Sequence, residues 1–291
     1  MFIDIHTHTG LFQGPPRDDG TNYATPEQLI ERYDEIGVEK AVILPSASPE
    51  CMISPRTTEE ALEICKRYPD RFVPFCNLDP RAVSNSADAP LGKVLAWYKD
   101  HGCKGIGEVT ANLPFSHPLM RNLFKHAQDV GLPLTFHIAH QIGNVYGIYD
   151  EPGLPQLERA LRDFPKLKFL AHSQPFWAEM APLQTPADRD GYPDYPIVEE
   201  GVVPKLFRRY PNLYGDLSAN SGYNALARDE DYAVKFLTEF QDRLMFGTDI
   251  CEPDTPTPLV DFLLKLRNEK KISEEVFQKV ARENAIRILE L

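Results

Sequence analysis

Residues 25–44 read TPEQLIERYDEIGVEKAVIL. Thr25 followed three residues later by Gln28 forms a capping box, and Pro26 occupies the first helical position. Gly37 stops the pattern, which predicts a helix from Pro26 to about Ile36. Lys40–Leu44 follows as a short run that is apolar on consecutive positions, as a strand covered on both faces requires. The link between them, Gly37–Glu39, is short.

The same alternation extends in both directions. Strands are expected at Phe2–His6, Lys40–Leu44, Phe72–Leu78, Lys104–Val109, Leu134–Ile138, Lys168–His172, Leu213–Leu217 and Leu244–Gly247. Helices are expected at Pro26–Ile36, Glu59–Tyr68, Leu91–His101, Pro118–Val130, Leu154–Phe164, Val203–Tyr210, Tyr232–Gln241 and Pro258–Glu269, with one more at Glu274–Leu289. Eight strand–helix units predict an α/β fold, a single (β/α)8 TIM barrel with an extra C-terminal helix. Length alone, at about 150 residues per domain, would give about two domains for 291 residues. The eight units instead place residues 1–291 in one domain, and no segment has the composition of a linker. Tyr68-Pro69, Phe164-Pro165 and Tyr210-Pro211 recur at helix ends, where proline cannot continue the helix.

Composition narrows the function. The net charge of −12 and the lack of a basic stripe disfavour nucleic acid and anionic membrane surfaces as partners. A small-molecule substrate is expected instead. Five scattered cysteines without a C-x-x-C pair argue against a disulfide framework and imply a reducing compartment. With no signal-peptide pattern at Met1–His6 and no long apolar run, a cytoplasmic location is expected.

Proline is in excess, 26 of 291 residues or about 9%, against roughly 5% on average. Much of it falls in long strand-to-helix links: Thr7–Ala24, Pro45–Thr58, Ala139–Gly153 and Ser173–Glu200. Loops beyond about 12–15 residues are usually functional or disordered. These all lie at the C-terminal ends of the strands, where barrel enzymes keep their active sites.

Titratable residues gather at the same end. The first strand closes on His6-Thr7-His8, and residues two apart in a strand point to one side. Later strands end on Glu108, His137, His172 and Asp249. Buried charges are costly unless paired or bound to metal. Imidazole and carboxylate are ligands for zinc and similar divalent ions. His6, His8, Glu108, His137, His172 and Asp249 supply enough donors for one ion plus a catalytic base, or for two ions bridged by Glu108. Any one of them alone has a structural reading, as a core histidine or a paired carboxylate; their shared position favours a metal site.

The motifs Asp4-Ile5-His6-Thr7-His8, Phe136-His137-Ile138, Leu170-Ala171-His172-Ser173 and Phe246-Gly247-Thr248-Asp249 occur in that order across nearly the whole chain. In this the sequence resembles the amidohydrolase superfamily, and within it the amidohydrolase-related group that includes aminocarboxymuconate-semialdehyde decarboxylase and lactone hydrolases. The resemblance implies that His6, His8, His137 and Asp249 hold a divalent metal, zinc first. It implies that His172 is the catalytic histidine and that Asp249 doubles as a proton acceptor. Glu108 departs from the mononuclear pattern: superfamily members with a carboxylate on the fourth strand, such as TatD-type nucleases, use it to ligate or bridge metals, with the sixth-strand histidine as a further ligand. One or two ions per chain are therefore both expected readings. A bridging lysine is not evident, because Lys104 begins its strand. Members are often dimers, so a homodimer is an expected assembly.

A metal that lowers the pKa of bound water to about 7 would support hydrolysis of an ester, lactone or amide. The same ligands serve decarboxylation of an unsaturated or aromatic acid, for which Arg17, Arg189 and Arg228 are candidate cations. A non-catalytic barrel is the third reading, and the charge balance disfavours a nuclease. Trp177, with Phe176, reads as a pocket wall or a loop anchor, and Arg17 and His140 as candidate substrate contacts. Tyr146 and Tyr149 are placed near the mouth. Asp216 reads as a partner that orients a ligand histidine, and Cys251 as a small buried filler, with a catalytic thiol as the alternative. His101, His117 and His126 read as structural.

Overall fold

A computed structural model describes residues 1–17, 20–51 and 55–291. Nine strands run along the described chain: β1 (Phe2–Thr7), β2 (Val38–Ile43), β3 (Phe72–Pro74), β4 (Ile106–Val109), β5 (Leu134–Ala139), β6 (Ile148–Tyr149), β7 (Phe169–His172), β8 (Leu213–Asp216) and β9 (Leu244–Met245). All pairings between them are parallel, in the orders β1-β2-β3 and β4-β5-β7-β8-β9, with β6 added to β5.

Two seams complete the ring. At the first, Cys76 N donates to Gly105 O at 2.9 Å and Gly107 N to Cys76 O at 2.8 Å. At the second, Ile5 N donates to Phe246 O at 3.1 Å, Asp249 N to His6 O at 2.8 Å and His8 N to Ile250 O at 3.0 Å. The eight main strands thus form the predicted TIM barrel. Strand β9 ends at Met245, two residues before the Gly247 that its apolar run suggests.

The helices between strands are α1 (Pro26–Ile36), α2 (Thr58–Arg67), α3 (Leu91–Asp100), α4 (Pro118–Val130), α5 (Pro155–Asp163), α6 (Gln174–Trp177), α7 (Val202–Arg209), α8 (Ala219–Ala227), α9 (Glu230–Glu239) and α10 (Pro258–Asn268). Helix α1 begins on the predicted capping box and ends at Gly37 with φ 77°, a left-handed conformation that glycine adopts without strain. Tyr68, Phe164 and Tyr210 are the C-caps of α2, α5 and α7, each directly before its proline.

Helices α6 and α8 and strand β6 have no counterpart in the sequence reading. Helix α8, ANSGYNALA, is rich in weak helix formers. Packing forms it: Ser221, Gly222, Ala225 and Leu226 are buried, and a Cβ on Gly222 would lie 2.2 Å from Leu217 O.

The expected final helix is divided into α11 (Glu274–Gln278), a π turn over Lys279–Glu283, and α12 (Asn284–Leu289). Val280 O, inside the turn, accepts from Phe246 N at 2.9 Å. Ala285, Ile288 and Leu289 join Ile3, Ile5, Val73, Phe75, Leu170 and Met245 in a separate apolar cluster. The C-terminal segment therefore plugs the barrel interior, while a larger cluster fills the space between strands and outer helices.

Asp4 pins the top of this frame. Its carboxylate, fully buried, accepts from Tyr33 Oη at 2.7 Å on α1, from Thr248 N at 2.9 Å and from His6 N at 2.9 Å. Burial pushes its pKa up to about 6, against the pull of those hydrogen bonds. Leaving a buried donor unsatisfied costs about 1–3 kcal/mol, and Asp4→Ala strands several. A thermal melt should show a loss of about 3 kcal/mol or more; an unchanged midpoint would contradict this role for Asp4.

Candidate active site

The seam between β1 and residues 246–250 carries the first donors. His6 and His8 alternate with Thr7, whose hydroxyl donates to Ile250 O at 3.0 Å and holds the two segments in register. Asp249 lies at φ 57°, a left-handed conformation that Asp tolerates better than most residues. Gly247 lets the chains close: a Cβ there would sit 2.8 Å from Ser218 Cβ and 3.0 Å from Asp216 Oδ1.

Each of three histidines has a partner that orients it. His6 Nδ1 is 2.6 Å from Asp216 Oδ2, and His8 Nδ1 is 2.9 Å from Leu44 O. His172 Nδ1 is 2.9 Å from Ser218 Oγ. These contacts assign the proton to Nδ1 of His6 and His8 and leave Nε2 as the donor for a metal. Ser218 was not read from the sequence. It could have been found by the rule that placed His6 with His8, since it follows Asp216 by two residues at a strand end.

The free nitrogens converge on carboxylates. His6 Nε2 and His8 Nε2 are 3.2 Å apart. Asp249 Oδ1 lies 3.5 Å from the first and 3.4 Å from the second. Glu108 Oε2 lies 3.8 and 3.7 Å from the same atoms. Tetrahedral bonds of 2.0–2.2 Å to nitrogen and oxygen place neighbouring donors about 3.3–3.6 Å apart. The His6, His8 and Asp249 atoms have close to that spacing, with Glu108 slightly farther. The donor set therefore suits a divalent cation.

His137 belongs to a second group. Its Nδ1 is 2.8 Å from Glu108 Oε1, and His172 Nε2 is 3.9 Å from that same oxygen. Glu108 thus presents Oε2 to His6 and His8, and Oε1 to His137 and His172. Sequence reading put His137 with His6 and His8; the structure gathers it with Glu108 and His172.

The electrostatics favour a cation here. Burial disfavours a charged His6, yet Asp216, Asp249 and Glu108 outweigh it and push the imidazole up to about 10. Burial likewise opposes the Glu108 carboxylate, but His137, His6 and His172 bring it down to about 2. Asp249 is held below the usual carboxylate range against burial by His6, His8 and His172. His172 falls to about 4 through burial and the charge on His6, so it is neutral at pH 7.

Above the donors lies a cavity of about 540 Å³. His8, Glu108, His137 and Asp249 form its floor, with Arg17, Tyr23, Glu50, Tyr146 and Tyr192 among the walls. His140 faces an adjoining cavity, where its Nδ1 is 3.0 Å from Asp190 Oδ1. Tyr146 lines both cavities, with its ring 4.7 Å from that of His137.

Other candidates lie elsewhere. Trp177 is buried, and its indole N–H donates to Asp216 O at 3.0 Å, so it braces the residue behind His6 and does not line the cavity. Phe176 is buried beside it. Arg189 is buried 3.4 Å from Glu179, and Arg228 packs over Tyr195. Of the three candidate arginines, Arg17 lines the main cavity. His117 caps α4 and His101 stacks on Trp97. Cys251, read as a buried filler, is partly exposed and lines the cavity.

Asp216 gives a direct test of the support shell. Losing an outer partner of a ligand histidine typically costs 10–100-fold in metal affinity. Asp216→Ala should weaken divalent-ion binding by about that factor; unaltered affinity would remove Asp216 from this role.

The family model described as amidohydrolase matches residues 3–291. An uncharacterized TIM-barrel protein from Bordetella bronchiseptica superposes with a TM-score of 0.65 at 16% identity, covering 99% of this chain and 98% of that one. A putative 2-pyrone-4,6-dicarboxylic acid hydrolase from Pseudomonas putida gives 0.61 at 14% identity, covering 99% and 97%. The 5-carboxyvanillate decarboxylase of Sphingomonas paucimobilis gives 0.59 at 17% identity, covering 100% and 99%. No curated protein is significantly similar to the chain. No helix among the described residues is long and apolar enough to cross a membrane.

Proposed function

The chain belongs to the amidohydrolase family, and from that footing we propose that it hydrolyses an ester, lactone or amide bond of a small molecule at the barrel mouth. One observation carries the reading: His6 Nε2 and His8 Nε2 are 3.2 Å apart and each lies 3.4–3.8 Å from Asp249 and Glu108 oxygens, with His8, Glu108 and Asp249 lining the cavity. His6, His8, Glu108, His137 and Asp249 would hold the metal, with His172 joining them if two ions bind. Glu108, which faces both groups with separate oxygens, supports two. When bound, a divalent ion supplies Lewis acidity, polarising a carbonyl and lowering the pKa of water to about 7; zinc suits the imidazole-rich set.

The chain's own groups do the rest. Asp249 is the most exposed of the donor carboxylates, its side chain 23% accessible, so its carboxylate can accept the proton of the attacking water. With one ion bound, His172 Nε2, 3.7 Å behind Asp249 Oδ2 and neutral, can receive a proton in turn; with two ions it is a ligand and Asp249 alone carries the proton. Leu44 O and Asp216 keep His8 and His6 fixed while charge develops above them. Tyr23, Tyr146 and Tyr192 give the cavity flat walls suited to a ring.

A second reading, decarboxylation of an aromatic or unsaturated acid, draws on Arg17, whose guanidinium could receive a substrate carboxylate. A panel of lactones, esters, amides and aromatic acids, followed by proton release for the lactones and esters, by amine release for the amides and by carbon dioxide evolution for the acids, separates the two. Proton release from a lactone or ester, or amine release from an amide, without carbon dioxide is the expected result. Carbon dioxide from the acids alone would transfer the chain to the second reading.

A further inference from the structure

Cys251 bears a metal-donor atom beside the ligand set, and the proposed mechanism does not use it. It follows Asp249 by two residues; Ile250 between them is buried, while Asp249 and Cys251 both line the cavity. Cys251 is fixed in place, because its carbonyl accepts from Ala24 N at 2.8 Å. Its Sγ is 3.9 Å from Asp249 Oδ1, and the donor atoms of His8, Asp249 and Cys251 all lie within 4.8 Å of one another. Bonds of about 2.3 Å to sulfur and 2.0–2.2 Å to nitrogen or oxygen put neighbouring donors roughly 3.5–3.7 Å apart. The sulfur–oxygen separation exceeds that by a few tenths of an ångström, within the reach of a rotating cysteine side chain.

His8 Nε2 and Asp249 Oδ1 are 3.4 Å apart; His6 Nε2 lies 3.2 and 3.5 Å from them, and Cys251 forms a donor group with the same two residues. His6 is fully buried. Cys251 faces the cavity. We propose that Cys251 supplies a thiolate to the metal centre, making it a mixed nitrogen, oxygen and sulfur site that prefers thiophilic divalent ions. The inference rests on the reading that His8 and Asp249 hold the ion. On binding, the S–H bond breaks, a sulfur–metal bond forms and the proton passes to solvent. Soft thiolate ligands select zinc and cadmium over the oxygen-preferring manganese and magnesium.

Cobalt(II) tests this in the full-length protein without recourse to activity. The loaded wild type should show visible ligand-field bands together with thiolate-to-cobalt charge-transfer absorption in the near ultraviolet. Cys251→Ser should keep the former and lose the latter. Cys51→Ser should keep both, which controls for the other cysteine lining the cavity. The preference for cadmium over manganese, measured by competitive dialysis, should fall at least about tenfold in Cys251→Ser. Ligand-field bands without charge transfer in the wild type, or charge transfer that survives in Cys251→Ser, would overturn the assignment and leave the metal reading standing. Failure of the wild type to bind cobalt would overturn both. Should Cys251→Ser not fold, alkylation of the folded wild type decides: metal should protect Cys251 from iodoacetamide, and equal labelling with and without metal refutes the proposal.

Discussion

Replacing His6 with Ala is expected to abolish tight metal binding and, with it, turnover. His6 is fully buried, and its two ring nitrogens have separate tasks: Nδ1 meets Asp216 at 2.6 Å, and Nε2 faces His8, Asp249 and Glu108. No neighbouring histidine can move into its place, because Leu44 O and Ser218 Oγ hold His8 and His172 at their own positions. Loss of an outer partner costs 10–100-fold in metal affinity, so loss of the ligand itself should cost more than about 100-fold. Metal analysis of the purified variant against wild type, with a thermal melt to confirm folding, measures this. Full metal content and activity in His6→Ala would sink the metal reading. The same residue sets a pH dependence. Its imidazole, raised to about 10 in the metal-free protein, carries a proton across the neutral range that an ion must displace. Affinity should therefore climb with pH, about tenfold per unit for each proton released, and fall as the solution is acidified.

The barrel and most of the candidate site were legible because both follow local rules. Strands covered on two faces read as apolar runs, and helix ends carried capping and proline signals at Thr25, Tyr68, Phe164 and Tyr210. His6, His8, Glu108, His172 and Asp249 stood out as polar residues at the same end of such runs. What escaped depended on contacts between segments distant in sequence. Ser218 has a local cue in its spacing from Asp216, but its role comes from meeting His6 and His172, from which it is 212 and 46 residues away. Trp177 follows His172 closely in sequence, which suggested a pocket wall, yet the turn into α6 carries it under the candidate site against Asp216. Helix α8 is built largely of small and polar residues and exists because the barrel rim covers it. The grouping of His137 depends on which oxygen of Glu108 it meets, a choice that strand order alone does not specify.

That division of oxygens gives the second large effect, in Glu108→Gln. Wild-type protein should take up two equivalents of zinc, one on the His6 and His8 side and one on the His137 and His172 side. Glutamine keeps the size of the side chain and one carbonyl oxygen, but it removes the charge and replaces the second oxygen with an N–H donor. An amide nitrogen cannot ligate beside imidazoles, so one of the two groups must lose its share of Glu108. His137, whose Nδ1 is 2.8 Å from Glu108 Oε1, can hold the remaining oxygen by hydrogen bonding, which leaves His6 and His8 with Asp249. The Glu108→Gln variant then supports at most one tight equivalent on the His6 side, where three donors remain. Turnover should drop by at least about 100-fold, more than the loss of an outer partner would produce, because Glu108 forms part of the cavity floor. Calorimetric titration with zinc distinguishes the cases. A fall from two equivalents to one, with an unchanged melt, is the expected result. One equivalent in both proteins would make Glu108 a partner of His137 alone, and two equivalents with full activity in the variant would remove it from the metal site.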